Sequence, residues 1–153
     1  MKIGWRKLGI ANIVLSILGG GVVGLGVYTF NYADGASYLT NDSRVCTNCH
    51  VMQDNYNAWS KSSHHSVATC NDCHIPHDSL FEKLLTKSIN GFNHSLAFTT
   101  QHFPEPIQIT QRNRTIAEKS CRYCHSDITK AIDNPHNKDN SLSCIYCHSE
   151  VGH

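Results

Sequence analysis

The cysteines constrain this chain more than any other feature. All eight fall into one pattern, C-x-x-C-H, written four times: Cys46-Thr47-Asn48-Cys49-His50, Cys70-Asn71-Asp72-Cys73-His74, Cys121-Arg122-Tyr123-Cys124-His125 and Cys144-Ile145-Tyr146-Cys147-His148. A single C-x-x-C is ambiguous between a redox dithiol and half of a zinc site, and an oxidising compartment also permits disulfides. Zinc pairs do not require a histidine after every second cysteine, whereas C-x-x-C-H is the attachment unit of c-type haem. Two thiols about one helical turn apart add to the two vinyl groups of a porphyrin. The next residue then lies under the ring, where its imidazole can reach the iron. The pattern predicts four covalently bound haems (haem c).

A chain of 153 residues with that many porphyrins has little polypeptide left for a conventional core. Porphyrin faces must supply much of the buried apolar surface, with thioether and iron bonds acting as staples. The expected fold is mostly α with much loop: one N-terminal transmembrane helix, then a compact multihaem domain whose core is largely porphyrin. The attachment units form two pairs, 46/70 and 121/144, separated by an insert from Ile75 to Ser120. Irons packed this closely suit an electron wire.

The N-terminus predicts the membrane. Lys2, Arg6 and Lys7 precede a charge-free run from Leu8 to Ala33, long enough as a helix to cross the hydrocarbon core. Gly19, Gly20, Gly21, Gly24 and Gly26 are tolerable in a membrane helix. A cleaved signal peptide is the alternative, but its apolar stretch is shorter, and Tyr28, Phe30, Tyr32 and Tyr38 read better as an interfacial belt. The basic flank before the span puts Met1 in the cytoplasm and everything after Asp34 outside. This divides the chain into a basic tail and anchor, 1–33, and an outer tetrahaem domain, 34–153. The whole chain carries +1 formally, and all twelve acids lie beyond Ala33 with ten bases. No basic excess is present, so no nucleic-acid partner is expected.

A six-coordinate iron needs a second axial ligand, and seven histidines lie outside the units: His64, His65, His77, His94, His102, His136 and His153. His64 or His65 lies just before the second unit. His153 serves only if the C-terminus is tied down. The first unit continues Cys49-His50-Val51-Met52. On spacing, Met52 either packs on the porphyrin while His50 ligates, or replaces His50 and raises the haem potential. In the insert, Asp78, Ser79 and Glu82 form a helix start of capping-box type. Leu80, Phe81, Leu84, Leu85, Ser88, Ile89 and Phe92 then recur at helical spacing, with Lys83 and Lys87 on the other side. Such a stripe either enters a core or lies on a bilayer surface and frames an opening for a lipid-soluble molecule. No separate acid–base constellation for a terminal substrate is visible.

Anchor, order of attachment units, the C-H-x-M of the first unit, the terminal histidine, the stretch from Asn90 to Thr99 and the short length together resemble the NapC/NirT family of membrane-anchored tetrahaem quinol dehydrogenases. Within it they resemble the small subunits of cytochrome c nitrite reductase. The resemblance implies that Met52 rather than His50 ligates the first iron, that His74 pairs with His153 and His125 with His65, and that His148 binds the fourth iron. The fourth distal ligand stays open among His94, His102, His136 and a partner subunit. Lys83 matches a lysine that lines the quinol site. Asn90 stands where relatives carry an aspartate, and an amide cannot accept a proton. That leaves His94, Glu82 or a water chain as acceptor, of which only His94 has an ordinary pKa near neutral. The implied function is menaquinol oxidation at the bacterial inner membrane, with electrons passed to a periplasmic multihaem partner, the catalytic subunit of nitrite reductase. A related dehydrogenase serving a nitrate or sulfur-compound reductase shares these features. A free periplasmic carrier would follow if the N-terminus were removed.

Overall fold

The structure, a computed structural model, describes residues 3–132 and 142–153, with side chains from residue 9 onward. His136, Lys2 and the side chains of Arg6 and Lys7 lie outside the described residues. Two compact units result, Met1–Thr40 and Asn41–His153.

The first unit is helix α1, Ile3–Tyr32, followed by a 3-10 turn, Gly35–Leu39. Its segment Gly9–Tyr32 comprises 24 residues of mean hydropathy 2.1, none of it buried in protein. At about 1.5 Å per residue that length exceeds the ~30 Å hydrocarbon thickness. The polar side chains near its end are satisfied within the helix: the Thr29 hydroxyl donates to Leu25 O at 2.8 Å and the Asn31 amide to Val27 O at 2.9 Å. Such back-bonding gives each side chain a partner within its own helix. The helix stops at a turn in which Asp34 adopts φ 49°, a left-handed conformation open to Asp. Gly35 follows because a Cβ there would come within 2.4 Å of the Phe30 ring.

The second unit is built from short helices: α2 Gln53–Lys61, α3 Cys70–His74, α4 Leu80–Thr100, α5 Gln111–Cys124, α6 Ser126–Ile132 and α7 Cys144–Cys147, with 3-10 turns at Ser43–Asn48 and His50–Met52. No strand occurs among the described residues, in keeping with the expected helix-and-loop class. Among those residues the buried aliphatic side chains are Ile75 and Ile116, with Pro76 beside the first. Two aliphatic side chains do not make a core for a unit of this length. The remaining apolar interior has to come from something bonded to the chain.

Helix α4 shows the same deficit from outside. Ser79 caps it, accepting the Glu82 N–H at 3.2 Å, as the capping pattern predicts. Its apolar stripe points outward: Phe81 is 71% exposed and Phe92 68%. The protein-facing side is polar instead. Thr86, 1% exposed, accepts a hydrogen bond from the Arg112 guanidinium on α5 at 3.1 Å. The helix is thus amphipathic in the inverse sense, and its apolar face is not part of the protein core. At the C-terminus, Gln101 in the left-handed region (φ 55°) and the His102 N–H, bonded to Ala97 O at 3.0 Å, close a Schellman-type end.

Candidate functional site

One motif adopts three local forms. The first unit lies in 3-10 turns, with the Arg44 N–H capped by the Asp42 carboxylate. The second is an isolated helical turn, α3, closed by the Asp72 carboxylate, which accepts from both the N–H and the hydroxyl of Thr69 at 2.7 Å. The third is the last turn of α5, where the His125 N–H bonds Cys121 O at 2.9 Å. The fourth is α7, capped by Ser143 and Glu118. In α3, α5 and α7 the two cysteines sit three residues apart on one helical face, as two vinyl groups of one ring require. None of the eight thiols is consumed in a disulfide.

The units follow one another in space as in sequence. The Cys46 and Cys70 thiols hydrogen-bond each other, which raises the pKa of the first and lowers that of the second. Cys73, raised to about 11 chiefly by burial, also feels the charge of Cys121. Cys144, raised by burial and by the Glu118 carboxylate, feels Cys121 as well. First unit therefore neighbours second, second neighbours third, and third neighbours fourth. His77 reinforces the middle junction: its ring stacks on Tyr123 of the third unit, 4.4 Å between centroids, and its Nε2 bonds Asp72 O at 2.8 Å.

Two histidine pairs stand at a distance that matters. Two imidazoles bound to opposite sides of one metal, each nitrogen about 2 Å from it, have ring centroids roughly 6 Å apart. His74 and His153 are 5.9 Å apart with planes inclined by 12°. His64 and His125 are 6.1 Å apart with planes inclined by 79°. The histidine facing His125 is therefore His64. His65, which the family resemblance assigned there, packs its ring against Trp59 at 4.8 Å. His64 Nδ1 lies 3.2 Å from Val151 O and 3.3 Å from the Ser63 hydroxyl, contacts that hold the imidazole in place. The contact with Val151 also ties down the C-terminal segment, the condition for His153 to serve. Burial lowers His74 to about 4, helped by the nearby His153 and His94 charges; the neutral ring is the ligating form. The sequence had paired His64 and His65 as neighbours of the second unit, and nothing in their spacing separated them.

The other expected residues are placed as follows. Met52 is half-buried, its N–H bonded to Cys49 O at 2.8 Å, and its sulfur accepts from the Asn55 amide at 3.8 Å. His50 is exposed, its ring 6.2 Å from that of Phe98 on α4 and nearly perpendicular. Both stay possible ligands at the first unit, and α4 is its neighbour. His148 ends α7, exposed, with its N–H on Cys144 O at 2.8 Å. His102 is exposed just beyond α4. Lys83, Asn90 and His94 share a line along α4, because steps of seven and four residues nearly close two turns and one; Glu82 is about a quarter turn off it. His94 lies one turn before Phe98, and its charge reaches His74 of the second unit. Desolvation lowers its pKa. Lys87, beside this line, is likewise lowered by desolvation and by Lys83.

The donor set fits covalent haem on the structure's own terms: thiols in helical pairs, imidazoles at a one-metal spacing, and an interior too poor in apolar side chains to be complete. These features, with the exposed apolar helix, define a membrane-anchored multihaem cytochrome c. Comparison with known proteins leads to the same place. Residues 7–153 match the NapC/NirT cytochrome c family, N-terminal region, and the chain belongs to that family. It is 34% identical over 110 residues to the cytochrome c-type protein NrfH of Wolinella succinogenes, covering 72% of this chain and 62% of that one. To the cytochrome c nitrite reductase subunit NrfH of Nitratidesulfovibrio vulgaris it is 33% identical over 110 residues, 72% of this chain and 67% of that one. The match thus spans less than two thirds of the Wolinella protein. A crystal structure of the cytochrome c nitrite reductase NrfHA complex bound to the HQNO inhibitor is similar at a TM-score of 0.62 and 27% identity, with 88% of each chain covered.

Proposed function

We propose that this chain is the membrane-anchored tetrahaem subunit of a menaquinol-oxidising complex whose periplasmic multihaem partner is the catalytic subunit of nitrite reductase, reducing nitrite to ammonia. Residues 1–33 form the basic tail and the single-pass anchor in the inner membrane, and 34–153 the periplasmic domain. The observation that carries this reading is the unbroken order of neighbouring thiols from Cys46 to Cys144. Bound haems supply one-electron centres along that line. The relatives named NrfH and the likeness to the NrfHA complex support the choice of partner.

The chain's own residues do the rest. Cys46, Cys49, Cys70, Cys73, Cys121, Cys124, Cys144 and Cys147 hold the porphyrins. Met52 holds the first iron, His74 with His153 the second, His125 with His64 the third and His148 the fourth. The outward apolar face of α4 rests on the bilayer surface, so that a quinol leaving the lipid meets the polar line of Lys83, Asn90 and His94 next to the first unit. Lys83 donates to a quinol oxygen and Asn90 orients the ring. The neutral His94 imidazole accepts a quinol proton, which Asn90 cannot do, and Glu82 offers the second outlet.

Purified full-length protein in detergent tests the site. Lys83→Ala and Met52→Ala should each slow oxidation of a menaquinol analogue by about tenfold or more, with covalent haem content unchanged. Unaltered rates in both would remove the site from α4. Co-purification from native membranes tests the partner, and a nitrate or sulfur-compound reductase in place of nitrite reductase would replace it.

A further inference from the structure

The two pairs of attachment units are joined in the same way, and the joining residue differs in charge. Ser43 lies three residues before Cys46, is 6% exposed, and its hydroxyl accepts the Cys70 N–H at 3.1 Å. Glu118 lies three residues before Cys121, and its carboxylate accepts the Cys144 N–H at 2.9 Å. It also accepts the Ile145 N–H at 3.1 Å and the Ser143 hydroxyl. In both pairs the residue three before the leading cysteine receives the backbone N–H of the first cysteine of the following unit. The separations agree too, 24 residues from Cys46 to Cys70 and 23 from Cys121 to Cys144. A second bond secures each junction: the Asn71 amide donates to Asn41 Oδ1 at 3.0 Å in the first pair, and Arg122 to Leu142 O at 2.8 Å in the second.

The coincidence has a physical basis. A residue three before the first thiol lies one turn back along the same helical face, next to the ring that the thiol carries. Its side chain can therefore grip a second attachment turn only where that turn lies beside the first ring. We infer that Ser43 and Glu118 are positioning residues that dock the second attachment unit on the first and the fourth on the third, and that the Glu118 carboxylate sets the redox potentials of the second pair below those that a neutral residue would give. A fixed negative charge beside two redox centres favours their oxidised, more positive form. Ser43 fixes geometry without charge, and the carboxylates of the first pair, Asp42 and Asp72, act from other positions on its turns. This inference rests on the tetrahaem reading above.

The test uses full-length holoprotein, wild type beside Glu118→Gln, Glu118→Ala and Ser43→Ala. Mass spectrometry first counts covalent haems; a wild-type count other than four would overturn the tetrahaem reading and this inference with it. With four haems bound, spectroelectrochemical titration of Glu118→Gln should show two of the four midpoint potentials raised and two unmoved. Glu118→Ala should add a changed magnetic coupling between two haems in electron paramagnetic resonance, because docking is lost as well as charge. Ser43→Ala should alter coupling in the other pair and leave all four potentials in place. A residue that only capped a helix would lower the melting temperature while the titration curve superposed on wild type, and that result would overturn the assignment of Glu118. If Glu118→Ala does not accumulate, Glu118→Gln, which keeps the size and one accepting oxygen, decides alone.

Discussion

The second and third attachment units carry the same motif and each faces a distant histidine, yet the fold holds them differently. In the second, His74 is half-buried and its ring is nearly parallel to that of His153. In the third, His125 is exposed at the end of α5 and its ring is nearly perpendicular to that of His64. The motif specifies where the thioethers and the proximal imidazole go. Burial, ring orientation and distal partner come from what surrounds each turn: an isolated turn braced by Asp72 in one case, the end of a 14-residue helix in the other. Identical chemistry can thus be tuned site by site through outer-shell contacts. One contact binds the two sites together, because the His64 ring that faces His125 also holds Val151, two residues before His153.

That contact yields the largest expected effect. His64→Ala should open the third site and, by releasing the C-terminal segment, loosen His153 at the second, so that high-spin haem signals appear at two sites. His65→Ala should leave both low-spin and cost only packing on Trp59. The reverse pattern would restore His65 as the ligand. Next in size, His153→Ala should produce a high-spin signal from one site only and leave the His64–His125 site intact; a change at both would mean the coupling runs in the opposite direction. Thr86→Val removes the buried acceptor that ties α4 to α5 and should destabilise the holoprotein by about 1–2 kcal/mol in thermal unfolding, with neither histidine site altered.

A smaller effect depends on pH. Burial alone would raise the Glu118 carboxyl, but hydrogen bonds from the Ser143 hydroxyl and the Cys144 and Ile145 N–H groups outweigh it and hold the group below the usual glutamate range. A carboxyl depressed in the folded state contributes stability that is complete above its unfolded pKa and is lost as pH falls through the folded value. Melting temperatures of wild type and Glu118→Gln should therefore converge below the ordinary glutamate range and separate above it. Parallel curves across that window would show that the charge contributes nothing. Smallest of all, Gln101→Gly should gain about 0.5–1 kcal/mol by relieving the left-handed residue at the end of α4.

Much of this was readable in the residues. Spacing within each C-x-x-C-H unit is a local property, and so is the length of the uncharged N-terminal run; both carry their meaning without a fold. The capping pattern at Ser79 likewise led to the observed start of α4. The apolar stripe after it was readable as a stripe but not in its direction. Helical periodicity says which residues share a face, whereas the outward turn of that face followed from Thr86 meeting Arg112 across 26 residues of sequence.

The amino-acid order alone determined the C-x-x-C-H spacing, the apolar helix and the start of α4, because each depends on residues no more than a few turns apart. Only the tertiary structure decided that His64 rather than His65 faces His125, that the C-terminus is held close enough for His153 to meet His74, and that Ser43 and Glu118 join the units in pairs. Those outcomes depend on which hydrogen bonds close across dozens of residues, and adjacent histidines of equal chemistry cannot be told apart until one of them finds a carbonyl to hold its ring.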